Sequence, residues 1–294
     1  MKLIKTYLLI LLIFLSLSLP ESYSQTSQEP QVKVALFFDD GWKNHYDEAF
    51  PFLMKFGFKA TFAIVSDYIG HDRGTFWARM NLTELKMLQE SGMEIASHTK
   101  THPHMLNLTH EKLIDEIINS KKALTQLGFK VKTFVYPHGE WNQTILEYVK
   151  EAGYACARTI KPEAYTIENP DADARYYIGS WTITNQSLKE FQEIFQNTEK
   201  GQVVVLTYHF ISDETPKETS TSPQNFYEQM EYLKKNKYEV VLLSELFKTD
   251  EKQPWSPPQL MGIAVGALVA ACTLVAFSRR KRKASRFKRV APYA

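Results

Sequence analysis

What most constrains this chain is the alternation of two apolar patterns along its middle. Short runs with the character of buried strands, Val32–Phe38, Ala60–Val65, Met93–Ser97 and Thr133–Tyr136, recur between stretches of helical periodicity. Tyr154–Arg158, Tyr176–Trp181, Gln202–Tyr208 and Glu239–Leu243 continue the series less evenly. The helical stretches are Tyr46–Phe56, Thr83–Ser91, Thr109–Leu127, Gln143–Ala152, Leu188–Thr198 and Pro223–Asn236. Gly57, Gly92, Gly128 and Gly153 stand where helices should end, and Ser222-Pro223 where one should begin. Strands alternating with helices build a parallel α/β sheet, either open or closed into a barrel. No internal repeat or second domain interrupts the pattern.

The two ends read differently. Lys2 and Lys5 precede an apolar run from Tyr7 to Phe14, and Pro20 with Ser22-Tyr23-Ser24 closes it. That order predicts a secretory signal over residues 1–24, followed by a linker over 25–31. Leu260–Phe277 carries no charge across eighteen residues, about 27 Å of helix, close to the thickness of a bilayer core. Eight basic residues in Arg279–Arg289 follow it, the signature of a stop-transfer segment with a cytoplasmic tail over 278–294. A proline-bearing stalk over 248–259 connects the span to the domain at 32–247. Gly262 and Gly266 have the spacing of packed membrane helices, which makes a homodimer a candidate. The expectation is a single-pass cell-membrane protein, in contact with membrane lipid and with its domain on the extracytoplasmic side.

Composition excludes some alternatives. With the basic residues of the two ends and Glu21 set aside, the middle holds 25 Lys and Arg against 32 Asp and Glu. An acidic middle excludes a nucleic-acid partner. Two cysteines, Cys156 and Cys272, exclude a disulfide framework and a cysteine-built metal site. Sequons at Asn81, Asn107, Asn142 and Asn185 suit an exported surface.

Four polar motifs each follow an apolar run: Phe38-Asp39-Asp40-Gly41, Ser97-His98-Thr99-Lys100-Thr101-His102-Pro103, Tyr136-Pro137-His138-Gly139 and Leu206-Thr207-Tyr208-His209. The C-terminal ends of parallel strands are where barrel enzymes carry their chemistry. Consecutive side chains of a strand diverge, so one Asp can hold a metal while its neighbour faces substrate. Two histidines with three residues between them come together on a tight loop or a helical turn, exposed at the barrel rim. Two histidines and one aspartate leave positions open on an ion, as catalytic rather than structural metal sites do. His45, His71, His104 and His110 read as surface residues.

From about Val32 to Phe247 the chain resembles the metal-dependent polysaccharide deacetylase family, on the strength of Phe38-Asp39-Asp40-Gly41 and His98-Thr99-Lys100-Thr101-His102-Pro103. The resemblance implies a distorted (β/α)7 barrel that removes N-acetyl groups from an amino sugar polymer or glycan. It implies Asp39 as catalytic base and His209 as general acid. Asp40, His98 and His102 would hold one divalent ion, with Zn2+ expected. It further implies Tyr136, through its backbone N–H, as an oxyanion donor, and Trp181 and Leu206 around the acetyl group. Where the family carries an arginine that orients the catalytic aspartate, this chain has Val135, and Arg158 or Arg175 are the candidates to replace it. Two other readings use the same scaffold: hydrolysis of another non-peptide amide, or carbohydrate binding without catalysis.

Overall fold

The computed structural model describes residues 32–247, apart from 73, 75, 76, 170 and 215–217. The segments read as signal peptide, stalk, membrane span and basic tail, with Cys272, Gly262 and Gly266, lie outside the described residues. Among the described residues no helix is long and apolar enough to cross a membrane.

The strands are β1 Lys33–Phe38, β2 Thr61–Ile64, β3 Glu94–Ser97, β4 Thr133–Val135 and β5 Cys156–Arg158. They continue with β6 Tyr165–Thr166, β7 Trp181–Thr182, β8 Gln202–Tyr208, β9 Phe210–Ile211, β10 Ser220–Thr221 and β11 Glu239–Val240. The main sheet runs β5-β4-β3-β2-β1-β8-β6, with β11 on β1 and β7 on β8. Every pairing is parallel except that of β6 with β8. A bridge from Arg158 to Ile178 ties the β5 edge to the segment that feeds β7. The sheet therefore curls back toward its far edge, in keeping with a distorted barrel.

Strand parity sorts the core. Val34, Leu36 and Phe38 of β1 pack with Val204, Leu206 and Tyr208 of β8 in the layer that also holds Leu53, Leu85, Leu88, Ile145 and Phe226 of the helices. Ala35, Phe37, Ala63, Ala96, Val135, Cys156, Val203 and Val205 form a second cluster, on the inside of the curl. Buried strands with two apolar faces follow directly from helices on one side and a closing sheet on the other.

The helices begin and end where local chemistry dictates. Leu82–Glu90 starts at Asn81, whose side chain accepts from the Glu84 N–H in a capping box, and Gln143–Glu151 starts at Asn142 in the same role. Two of the four sequon asparagines are thus helix caps, and Asn185 accepts from the Asn225 side chain. Pro223–Lys235 starts at Ser222, as expected.

Several expectations needed correction: the predicted helix Tyr46–Phe56 opens on a π-helical turn at His45–Ala49, and the predicted strand Glu239–Leu243 ends at Val240, with Leu243 in a 3-10 turn. The predicted helix Thr109–Leu127 contains a π-helical turn at Asp115–Asn119 between His110–Ile114 and Ser120–Gln126. The predicted helix Leu188–Thr198 is α-helical only to Glu193. The predicted strand Tyr176–Trp181 is reduced to the bridge at Ile178 and the two residues of β7, behind a 3-10 turn at Ala174–Tyr176. Gly179 explains the break: a Cβ there would stand 2.3 Å from the Lys161 carbonyl oxygen, so another chain segment passes where a strand's side chain would be.

At the foot of the inner layer Glu94 is 6% exposed, and its carboxylate accepts from Thr61 Oγ1 at 3.1 Å and Thr133 Oγ1 at 2.8 Å. Burial pushes its pKa above the ordinary 4.5, against the opposing pull of hydrogen bonds from Thr133, Thr61 and Ser244. A carboxyl whose value is raised by folding binds more protons folded than unfolded, so stability falls as pH climbs from 4.5 through the folded value. Glu94→Gln keeps an acceptor and removes the charge. The wild-type urea midpoint should therefore drop relative to that of Glu94→Gln over this window; parallel pH profiles would refute the assignment.

Candidate active site

Continuing the inner parity of each strand by one step leads to the mouth of the curl. Asp39 follows Ala35 and Phe37, and its N–H donates to the Tyr208 carbonyl at 2.9 Å, prolonging the β1–β8 pairing. His98 follows Ala96 and donates its N–H to the Ile64 carbonyl at 2.9 Å, prolonging β3 against β2. Arg158 follows Cys156, and Thr207 and His209 follow Val205. These side chains converge because their backbones obey one alternation.

Beyond those positions the backbone turns sharply. Among the described residues five non-glycine residues have positive φ, and four are here: Asp40 (73°), Thr99 (65°), His102 (59°) and His138 (56°). Left-handed backbone is costly for such residues and persists where surrounding contacts hold it. Gly41 follows Asp40 in the same conformation, and a Cβ on it would meet Ile64 Cδ1 at 3.1 Å. The tight turn swings Asp40 away from Asp39. Asp40 Oδ1 lies 3.7 Å from His98 Nε2 and 3.4 Å from His102 Nε2, and the three donor atoms lie within 4.8 Å of one another.

The histidines are held from behind. Val135 offers its carbonyl to His98 Nδ1 at 2.8 Å, which fixes the proton there and leaves the Nε2 lone pair toward Asp40. Burial pulls the His98 pKa down to about 4, so the ring is neutral near neutral pH. Glu116, on the π-helical turn, accepts from the N–H groups of Lys100 (2.8 Å) and Thr101 (2.9 Å) and from Thr101 Oγ1 (2.6 Å). One buried carboxylate thereby clamps the loop that carries both rings. π turns recur at functional positions because they re-aim a helix face by one residue.

Asp39 has a different partner. Arg158 is fully buried and donates from Nη2 to both carboxylate oxygens, at 2.6 Å to Oδ1, while its Nη1 reaches Ser180 Oγ at 3.3 Å. Val135 and Arg158 are register partners on adjacent strands. The arginine expected near position 135 is thus supplied from the next strand at the same level. Arg175 lies elsewhere, against the Tyr176 ring. Burial raises the Asp39 pKa, but the Arg158 charge and hydrogen bond, with His98 and His209, outweigh it and hold the carboxyl at about 2. His209 Nε2 stands 3.9 Å from Asp39 Oδ2, and its side chain is 26% exposed.

Several expected positions differ. Leu206 is fully buried and Tyr136 nearly so, both in the helix-side layer, and half-buried Trp181, register partner of Leu206, packs against that same layer. Their parity is odd relative to Asp39 and His209, which turns these side chains away from the cluster. The Tyr136 N–H is already donated to the Arg158 carbonyl at 3.1 Å, so it is not a spare oxyanion donor. His98, expected on an exposed loop, is only 2% exposed because its backbone still belongs to β3. His45, read as a surface residue, is fully buried, donates from Nε2 to the His209 carbonyl and has its pKa pulled down to about 4 by burial. Arg158 was one of two sequence candidates. Glu116 and His45 were not singled out, since their partners are distant in sequence.

A model of the family described as polysaccharide deacetylase matches residues 26–157. YxkH of Bacillus subtilis strain 168, named as a candidate polysaccharide deacetylase, is 31% identical over 48% of this chain and 49% of its own length. A poly-beta-1,6-N-acetyl-D-glucosamine N-deacetylase of Staphylococcus aureus strain MSSA476 is 26% identical over 57% of this chain and 60% of its own. The chain thus spans about half to three fifths of these curated relatives. Among solved structures, a CE4 family pseudoenzyme from Bacillus anthracis shares the fold, with a TM-score of 0.50 at 20% identity over 74% of this chain and 66% of that one.

The buried ion pair predicts a thermodynamic asymmetry. Arg158→Met strands a buried carboxylate and should cost roughly 3–5 kcal/mol of stability. Adding Asp39→Asn removes the stranded charge and should recover much of that loss. Equilibrium unfolding of the two single variants and the double variant measures the coupling; additive losses would show that the pair is not coupled.

Proposed function

We propose that the chain is a polysaccharide deacetylase, in keeping with the family model that matches residues 26–157, and that it hydrolyses N-acetyl groups on an amino sugar polymer, with Asp39 as base and a divalent ion held by Asp40, His98 and His102. What carries this reading is the division of labour between adjacent carboxylates: Asp40 belongs to a metal-type donor set, while Asp39 is anchored separately by Arg158. Binding a glycan requires no such second carboxylate, so the arrangement favours catalysis over recognition alone.

The donor set suits the ion. Two imidazoles and one carboxylate, with the His98 lone pair fixed by Val135, match the nitrogen and oxygen preference of Zn2+ and leave positions free. When bound, such an ion polarises an amide carbonyl and lowers the pKa of water. Asp39, kept ionised by Arg158, accepts the proton of the attacking water. An amide nitrogen leaves only once protonated. His209 is partly exposed, near Asp39 and fixed through its carbonyl by His45, so it is suited to deliver that proton. Acetate and a free amino sugar are the products. Poly-β-1,6-N-acetylglucosamine is the first substrate to test, because a relative of 26% identity is named for that activity. The apolar segments at residues 7–19 and 260–277 support an extracytoplasmic, membrane-anchored location.

Asp39 and Asp40 should separate in experiment. Asp39→Asn should retain one ion per chain and lose about 10²–10⁴-fold in acetate release, the typical contribution of a general base. The His98→Ala, His102→Ala double variant should lose both ion and turnover. Metal content by elemental analysis beside acetate release decides: stoichiometric ion in the double variant would sink the ligand assignment, and full activity in Asp39→Asn the base.

A further inference from the structure

Four imidazoles stand in a row at the mouth, and two of them lie outside the metal-type cluster. Ring centroids are 4.0 Å apart for His104 and His138, 4.6 Å for His138 and His102, and 4.7 Å for His102 and His98. The row runs from solvent to interior. The His104 side chain is 61% exposed, that of His102 24% and that of His98 2%, and His138 is exposed as well. His138 sits in the turn after β4 on a left-handed backbone (φ 56°), which is costly for a residue with a side chain. Two exposed rings stacked at 13° bury little apolar surface, so burial does not account for that cost. Glu140 completes the arrangement: its carboxylate accepts from His104 Nδ1 at 2.9 Å. The bond keeps the proton on Nδ1 and leaves Nε2 as a donor atom, which is how carboxylates brace metal-ligating histidines. The Val135 carbonyl braces His98 in the same sense.

Imidazole nitrogen selects the ion. Two such donors suit Zn2+, Ni2+ or Co2+, and not Mg2+ or Ca2+, which take oxygen ligands. Two neutral protein ligands leave the remaining positions to water and hold an ion more loosely than two histidines with an aspartate. A point of entry requires that ordering: capture at the surface, then release to stronger ligands one ring further in. We propose that His104 and His138, braced by Glu140, form a second, solvent-facing site for a divalent transition-metal ion, which captures the ion and passes it to His102. The delivery role rests on the reading of Asp40, His98 and His102 as metal ligands, whereas the outer site itself stands apart from it. A captured ion meets the inner ligands at an effective concentration far above that of the bulk.

The full chain in detergent, stripped of metal by a chelator and returned to Zn2+ alone, tests both halves. Calorimetric titration of the wild type should resolve two ions per chain, one tight and retained on desalting, one weaker and lost on it. His104→Ala with His138→Asn, the asparagine tolerating a left-handed backbone, should lose the weaker ion and keep the tight one. Glu140→Gln should weaken the outer ion about tenfold, at the low end of what an outer-shell partner contributes. His98→Ala with His102→Ala should do the reverse, losing the tight ion and keeping the weaker. Stopped-flow transfer of Zn2+ from a fluorescent chelator into the tight site should slow about tenfold in the outer double variant, for want of the raised local concentration. One ion per wild-type chain, or a weaker ion that survives loss of both outer imidazoles, would overturn the site. An unchanged transfer rate would overturn the delivery. Loss of the weaker ion from the outer variant, beside a tight ion that survives His98→Ala with His102→Ala, would uphold the outer site and overturn the inner ligand assignment alone.

Discussion

Each strand of a parallel sheet enclosed on both sides must divide its side chains between two interiors, and everything at the mouth of this molecule depends on that division. Leucine, isoleucine, tyrosine and most of the phenylalanines, with Val34 and Val204, go outward under the helices. Alanine, valine and one phenylalanine go inward, where the curl is narrow. At the top of the inner set the apolar sequence gives way to Asp39, His98 and Arg158. Four strands, β1, β3, β5 and β8, and a loop thus present their last inward side chains to one small volume, with no element dedicated to building it.

Charges gathered there cannot remain unpaired. Asp39 is 3% exposed and Arg158 is fully buried, and each makes the other tolerable. Asp40 escapes the same fate through a left-handed turn that Gly41 permits. The strain of four such backbone positions is concentrated around the histidines and offset by contacts from outside: the Glu116 clamp, the Val135 carbonyl and the Arg79 bond to the Asp40 carbonyl. Stability is spent on geometry at the site, and the apolar layers below supply it.

The same division explains which residues were legible in advance. Asp39, Asp40, His98 and His102 announce themselves, because carboxylates and histidines directly after apolar runs have few structural uses. Tyr136 and Leu206 could have been sorted by counting in twos from Val135 and His209, which puts both on the helix side. His45 and Glu116 carry no such local sign. A histidine on a helical stretch and a glutamate among helical residues look solvated until the partner, 164 or 15 residues away, is known.

The sequence by itself determined the order of strands and helices, the two metal-type motifs and the acidic character of the domain, since periodicity, turn residues and charge are local properties. Tertiary structure alone decided that Arg158 rather than Arg175 anchors Asp39, that Val135 is matched by an arginine one strand over, and that His138 joins exposed His104 to the metal-type histidines. The match of Val135 to Arg158 is a consequence of register between strands more than twenty residues apart in sequence. Register is fixed by how two cores fill at once, and no window of sequence contains both.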